Sequence, residues 1–266
     1  MRDSRLRWLV QPGLLPIILV IGAWVLLPQF LSIPEYKFPS LEQVAQDLWT
    51  LTLNGMLPGA LAASLVRLVI GFGIGAALGI IVGLGITLSD RLRTFLLPLI
   101  AFFNSIAGIA WIPMAIAWFG FGNGPVLFVI ANNIFFVVVY NTILGARSIP
   151  AVLFDGVRVL GGGGRVALVR EVLLPGAMVG VLGGLRTGLA FGWRALIAVE
   201  LIAASSGLGY MSIEASRLYD GATVVSVIIV IGVVWLAMDR FFLRPLEART
   251  VMRWGMMKSS AGARPK

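Results

Sequence analysis

The sequence predicts an all-α polytopic membrane protein with six transmembrane helices and both termini in the cytoplasm. Hydrophobic residues make up 59% of the 266 residues, and charged residues make up 12%, about half of the ~25% that a soluble domain carries. The mean hydropathy is +0.96, and apolar runs of the ~20 residues that a spanning helix needs recur along the chain. This composition excludes a soluble fold and a disordered chain. We expect a single transmembrane domain over residues 1–266.

The charge-free runs place the six spans in order. The run 94–146 is too long for one helix, and its Gly-rich segment 119–125 divides it into two. Pro98 and Pro113 predict kinks in the third span. The first run could instead be a secretory signal, but no small-x-small cleavage site follows it, which favours an uncleaved span. The predicted spans are at about 13–31, 68–89, 95–118, 126–145, 179–203 and 223–243.

The basic residues predict the orientation. If both termini are cytoplasmic, all but four of the 21 basic residues lie on the cytoplasmic side or near it. The four exceptions are Lys37, Arg67, Arg194 and Arg217. The same distribution argues against a nucleic-acid partner, because the basic residues lie between apolar runs and not on a face with aromatic residues.

Two local patterns predict further structure. Ser40 and Gln43 form a capping-box pattern, followed by apolar residues at helical spacing, which predicts a periplasmic amphipathic helix at about 40–52. Glycines at every fourth position in and beside two spans predict close helix packing, either static or as a sliding surface. These glycines are Gly71, Gly75, Gly79 and Gly83, and Gly176, Gly180, Gly184, Gly188 and Gly192.

The fourth and fifth spans are joined by a long cytoplasmic loop at 147–178. Its sequence predicts a short helix at 151–160, a glycine break at 161–164, a second short helix at 165–173, and a Pro-Gly stop before the fifth span. A loop of this length is often functional. We interpret it as a docking element for a cytoplasmic partner, although a basic loop that only orients the protein would look similar.

The chain lacks the residues of several chemistries. It contains no Cys and no His, which excludes thiol nucleophiles, Ser-His-Asp triads and the common zinc sites. None of its three lysines follows a glycine, so the phosphate-binding loop G-x-x-x-x-G-K-[ST] is absent. We therefore expect no enzymatic activity, no metal and no cofactor in this chain, and any ATP and Mg would be bound by a separate ATPase.

The loop resembles the cytoplasmic signature of ABC importer permeases, E-A-A-x-x-x-G followed by I-x-L-P. Asp155-Gly156-Val157 takes the place of E-A-A, Gly161 that of the glycine, and Leu174-Pro175 that of L-P, with one extra residue within 161–164. Further segments resemble permeases for sulfonates, taurine and nitrate, so the resemblance covers about 36–250. These segments are 38–44, 62–72, 111–120, 141–148 and Ala204-Ser-Ser-Gly-Leu-Gly-Tyr210.

The resemblance implies a type I ABC importer permease fold in a bacterial inner membrane. It implies a homodimer with two ATPase subunits and a periplasmic or lipid-anchored solute-binding protein. The solute would be a small anion of the sulfonate, taurine, nitrate or bicarbonate type; the alternative is a thiamine-precursor pyrimidine or other small organic solute. The implied ATPase-coupling residues are Leu153, Phe154, Asp155, Gly156, Arg158, Leu160 and Gly161.

Polar residues within spans are candidates for the translocation pathway. They are Asn104, Ser105, Trp111, Asn132, Asn133 and Tyr140. Asn104 and Trp111 are seven residues apart and would share a helix face. Interhelical hydrogen bonding is the alternative explanation for each Asn.

Three charges within spans form a candidate cluster: Arg67, Arg194 and Glu200. Either an anion-attracting or gating group, or a structural ion pair between Arg67 and Glu200, would explain them. An autonomous channel or secondary transporter would need a charge relay or an inverted repeat, and the sequence shows neither clearly. A membrane enzyme is disfavoured by the missing His, Cys and paired carboxylates.

Overall fold

The computed structural model describes residues 38–159, 164 and 168–243, together with Gly22 and Trp24. Every regular element in these residues is a helix. The predicted first span and both termini lie outside the described residues, except for positions 22 and 24. The helices are α1 (Leu41–Leu53), α2 (Met56–Leu88), α3 (Asp90–Asn104), α4 (Ile112–Phe119), α5 (Asn123–Arg147), α6 (Ala151–Val159), α7 (Leu174–Ala203), α8 (Leu208–Arg217) and α9 (Gly221–Met238).

The chain divides into two compact units. The first comprises Met1–Gly59 and Met211–Val230, and it contains α1 and the start of α9. Helix α1 begins at the predicted capping box, in which Ser40 Oγ accepts a hydrogen bond from the Gln43 amide and the Gln43 side chain accepts one from the Ser40 amide. Within this unit, Thr223 donates a hydrogen bond to Asp47 at 2.9 Å, and Val44 is buried. The polar and apolar contacts together hold α1 against α9.

The second unit, Ala60–Tyr210 and Ile231–Lys266, is built around α5. Many α5 side chains are fully buried, including Val129, Ile134 and Val138. The glycines of α2 and α7 both pack against this helix, and Ile134 and Val138 of α5 lie next to glycines of both rows. A Cβ atom at Gly75 would lie 2.5 Å from the Ala131 carbonyl oxygen. The glycine rows therefore let neighbouring backbones approach α5 directly, as expected for helices that pack in lipid.

Four helical stretches in the described residues are long and apolar enough to cross a membrane: Met56–Leu88, Asn123–Arg147, Val169–Ala203 and Gly221–Phe241. A fifth is present if the bent pair of α3 and the segment Gly108–Phe119 forms one span.

The helix that contains the predicted second span extends beyond the predicted start at 68. Helix α2 begins twelve residues earlier, at Met56, and continues through Arg67. The prediction stopped at Arg67 because an unpaired charge in the bilayer is costly. Arg67 is paired with a buried carboxylate (below), so the helix can continue past it.

The predicted third span at 95–118 is not one continuous helix. Helix α3 ends at Asn104, a 3₁₀ turn follows at Gly108–Trp111, and the axes of the two halves differ by 92°. Neither predicted proline kink is the break. Pro98 lies inside α3, and Pro113 lies in the first turn of α4, where its missing N–H costs no helical hydrogen bond.

The long loop is shorter than predicted. Helix α6 is present at Ala151–Val159, but the second short helix and the Pro-Gly stop are not separate elements. A π-helical turn at Val169–Leu173 leads directly into α7, and Pro175 lies in the first turn of α7, where it is tolerated. The glycine break at 161–164 lies outside the described residues except for Gly164.

Candidate translocation and coupling sites

The break between α3 and α4 borders a cavity of about 470 Å³. Asn104 at the end of α3, the irregular residues 106 and 107, and Gly108 at the start of the 3₁₀ turn line one side, and α5 and α7 supply the rest. Irregular backbone at membrane depth is tolerated where it is buried in protein or faces a water-filled cavity. The lining residues are Asn104, Ile106, Ala107, Gly108, Asn132, Asn133, Phe136, Val137, Tyr140, Asn141, Thr187 and Phe191.

Two of the lining asparagines are held by their own helix. The amide nitrogens of Asn133 and Asn141 donate to the carbonyls of Val129 and Val137, four residues earlier, at 2.8 and 2.9 Å. Only an amide NH₂ can donate to a carbonyl, so these bonds assign the side-chain orientation. Gly108 makes room for the Asn133 amide, because a Cβ there would overlap it.

Sequence reasoning found part of this cavity. Four predicted pathway residues line it: Asn104, Asn132, Asn133 and Tyr140. Asn141 and Thr187 were missed, although Asn141 follows Asn133 by eight residues and so lies on the same face of α5. Whether these residues conduct a solute stays a prediction.

Two predicted pathway residues do not line this cavity. The Ser105 hydroxyl donates to the Phe102 carbonyl at 2.6 Å. Trp111 packs with Phe103 and Phe128, with ring centroids 6.0 and 6.3 Å away. The argument that Asn104 and Trp111 share a helix face is wrong, since the helix breaks between them.

A second polar site is a buried ion pair. Arg67 Nη1 lies 2.7 Å from Glu200 Oε1, and the two side chains are 8% and 0% exposed. The carboxylate also accepts hydrogen bonds from the Ser64 hydroxyl at 2.8 Å and from the Gly209 amide at 3.0 Å. The sequence-predicted pairing of Arg67 with Glu200 is therefore present, and its geometry favours the structural ion pair, because the carboxylate is enclosed by protein donors.

The guanidinium of Arg67 connects α2 to three other segments of the second unit. Besides Glu200, it donates to Asn123 Oδ1 at 2.7 Å and to the Ser206 carbonyl at 2.6 Å. Gly207 has φ +109°, and a Cβ there would overlap the Glu200 carboxylate. The Ser-Ser-Gly-Leu-Gly segment is thus shaped to wrap around this carboxylate.

Arg194 does not belong to this cluster, so that part of the prediction is wrong. Its side chain is exposed, and its guanidinium lies 5.9 Å from the ring centroid of Phe191. Arg194 precedes Glu200 by six residues on α7, and this spacing puts the two side chains on different faces of the helix.

Helix α6 presents an apolar surface to solvent. Val152, Leu153 and Val159 are 70%, 51% and 86% exposed. Among the predicted coupling residues, Asp155 and Gly156 are also exposed, while Phe154 is half-buried and faces the other side. Val152 and Val159 are not among the predicted coupling residues. Leu160 and Gly161 lie outside the described residues, as does the side chain of Arg158.

Comparison with known proteins places the chain in one family. Residues 75–244 match the family described as "Binding-protein-dependent transport system inner membrane component". An ABC transporter permease protein of Brucella melitensis is 37% identical over 234 residues, which are 88% of this chain and 93% of that protein. The taurine transport system permease protein of Escherichia coli is 30% identical over 262 residues, 94% of each chain. Other relatives are named as permeases for aliphatic sulfonates and for bicarbonate.

A solved structure shares the fold. The chain superposes on the inward-facing methionine ABC transporter MetNI with a TM-score of 0.57 and 19% identity, covering 71% of this chain and 94% of that one. Together with the family match over most of the chain, this shows that the protein belongs to the binding-protein-dependent transport system inner membrane components, the permeases of ABC importers.

Proposed function

We propose that this chain is the transmembrane permease subunit of an ATP-driven importer that moves a small anionic solute into the cytoplasm by alternating access. Two copies would span a bacterial inner membrane, with two ATPase subunits on the cytoplasmic side and a solute-binding protein outside. Family membership implies the ATPase and the binding protein. The names of the taurine, sulfonate and bicarbonate relatives support the anionic solute class.

The exposed apolar surface of α6 carries this proposal. A nine-residue helix follows directly after the central helix α5 and presents Val152, Leu153 and Val159 to solvent. Exposed apolar side chains close together on a short helix indicate a protein contact. The chain lacks a phosphate-binding loop of its own, so ATP-driven work needs such a contact to reach it from a separate ATPase.

Co-purification with the ATPase encoded beside this chain tests the proposal. Leu153→Asp combined with Val159→Asp places two charges on the α6 surface, and we expect the ATPase to be lost from the detergent-solubilised complex. Leu53→Asp is the matched control, because Leu53 is similarly exposed but lies on α1. Its ATPase content should equal that of the native chain.

The three outcomes separate the parts of the proposal. A native chain that never retains the ATPase contradicts the importer function. Retention by the native chain and by both variants contradicts the assignment of α6 as the coupling helix. Loss in the control as well as in the α6 variant shows a general folding defect and removes the support from α6.

A further inference from the structure

We infer that the cavity beside the broken helix is a solute-recognition site of the permease itself, in which uncharged hydrogen-bond donors select a small acceptor-rich solute such as a sulfonate. This inference rests on the proposed import function and deepens it. It assigns part of the solute selectivity to this chain, in addition to any selection by the binding protein.

Unpartnered donors are the first observation. Asn104, Asn132, Tyr140 and Thr187 line the cavity, and within the described residues their side chains make no hydrogen bond. Each asparagine amide offers two N–H groups and each hydroxyl one O–H. Asn132 and Tyr140 are half-buried, and Asn104 and Thr187 are exposed, so all four side chains can donate to a polar molecule that enters the cavity.

The origin of these side chains is the second observation. Asn104 is the last residue of α3, Asn132 and Tyr140 lie on α5, and Thr187 lies on α7. Three separate elements of the second unit therefore contribute donors to one volume. Solute sites of membrane transporters form in the same way, where a discontinuous helix meets intact ones. A volume of about 470 Å³ suits a small solute.

The charge of the lining is the third observation. None of the described lining residues is charged, and Arg194 lies beside Phe191 without lining the cavity. Neutral donors replace the hydration of an anion without holding it as strongly as a fixed cation would. A transport site needs this balance, because the solute must leave as readily as it enters.

Uptake into proteoliposomes tests the inference. The native chain is reconstituted with its ATPase and binding protein, and uptake of taurine and of ethanesulfonate is measured together with ATP hydrolysis. Asn132→Asp places a carboxylate in the cavity, and we expect uptake of both sulfonates to fall about tenfold or more, which is the effect of ~1.4 kcal/mol. Thr187→Val removes a donor from α7 and should lower uptake in the same direction.

Two controls isolate recognition from folding. Asn54→Asp makes the same chemical change at an exposed cap of α1, where the side-chain oxygen still accepts from the Met56 amide, and its uptake should equal that of the native chain. Asn132→Gln keeps the donor and should retain most of the uptake. Assembly with the ATPase and hydrolysis stimulated by the binding protein should stay near the native level in every variant.

Native-level uptake in Asn132→Asp overturns the inference. The inference is also overturned if Asn132→Asp and Asn132→Gln lose uptake equally and both fail to assemble with the ATPase. That result would show that Asn132 is needed for the packing of the protein and not for recognition of the solute. A native complex that hydrolyses ATP but takes up neither sulfonate overturns the assigned solute class and leaves the importer function standing. That function fails only if the native chain does not bind its ATPase.

Discussion

At the scale of single residues, Arg67 and Glu200 show how charges are accommodated within spanning helices. The Glu200 carboxylate accepts hydrogen bonds from the Ser64 hydroxyl and the Gly209 amide in addition to the Arg67 guanidinium. The guanidinium in turn donates to Asn123 of α5 and to Ser206 in the segment after α7. A buried pair of this kind adds little net stability, but the loss of one partner leaves an uncompensated charge. The pair therefore makes the second unit depend on both residues.

Glu200→Gln should destabilise the protein strongly. The substitution keeps the shape of the side chain but leaves the Arg67 charge without a partner, which costs about 3–5 kcal/mol in the free energy of unfolding. Glu214→Gln is the matched control, because Glu214 pairs with Arg217 at 3.5 Å on an exposed face, and such pairs contribute about 1 kcal/mol or less. Thermal unfolding in detergent measures both, and equal melting temperatures for the two variants would contradict the structural role of the pair.

At the scale of elements, the glycine rows explain how α5 is enclosed. A Cβ at Gly180 would lie 2.5 Å from the Asn141 carbonyl oxygen, and one at Gly75 would be equally close to Ala131. Alanine at either position would push a whole helix away, since the obstruction is backbone and cannot rotate aside. Static packing of this kind is compatible with motion of the helices as a group.

Gly75→Ala should therefore be far more harmful than Gly73→Ala. Both are helical glycines of α2, but a Cβ at Gly73 meets nothing within 4 Å. We expect Gly75→Ala to cost about 1–3 kcal/mol, as overpacking does, and Gly73→Ala to be neutral or slightly stabilising, because alanine favours helix. The comparison uses thermal unfolding in detergent. If the two variants melt at the same temperature, the close approach of α2 to α5 is contradicted.

At the scale of the whole molecule, the distribution of basic residues predicts both termini in the cytoplasm. The bent pair of α3 and the segment Gly108–Phe119 affects the topology of the helices that follow it. The pair either crosses the membrane once or forms a re-entrant loop that returns to the side from which it started. Phe121 is exposed just before the start of α5. Val159 is exposed on α6, which follows the other end of α5.

Cysteine labelling decides between the two topologies. The chain contains no Cys, so Phe121→Cys and Val159→Cys each introduce a single reactive thiol. An impermeant thiol reagent added to intact cells whose outer membrane is permeabilised should label position 121 and should label position 159 only after lysis. The native chain, which has no thiol, is the control. Labelling of position 159 in intact cells would contradict the predicted orientation and show that α6 lies outside the cytoplasm.

Much of this protein was determined by the sequence alone. Composition decided the membrane class, because no soluble fold could bury so much apolar surface. The capping box set the start of α1, since it depends on residues three apart. The run of short motifs indicated the permease family, and the Arg67–Glu200 pair followed from the cost of a lone charge in lipid. These features depend on local sequence or on general energetic rules.

The position of the break in the third span and the set of polar residues that share a cavity follow from tertiary contacts and not from the local sequence. The break falls after Asn104 and not at either proline. It brings Gly108 so close to Asn133 of α5 that a Cβ at position 108 would overlap the amide. Thr187 joins the cavity, while Ser105 and Trp111 do not. Each of these outcomes depends on contacts between residues far apart in the chain, which helical spacing within one segment cannot determine.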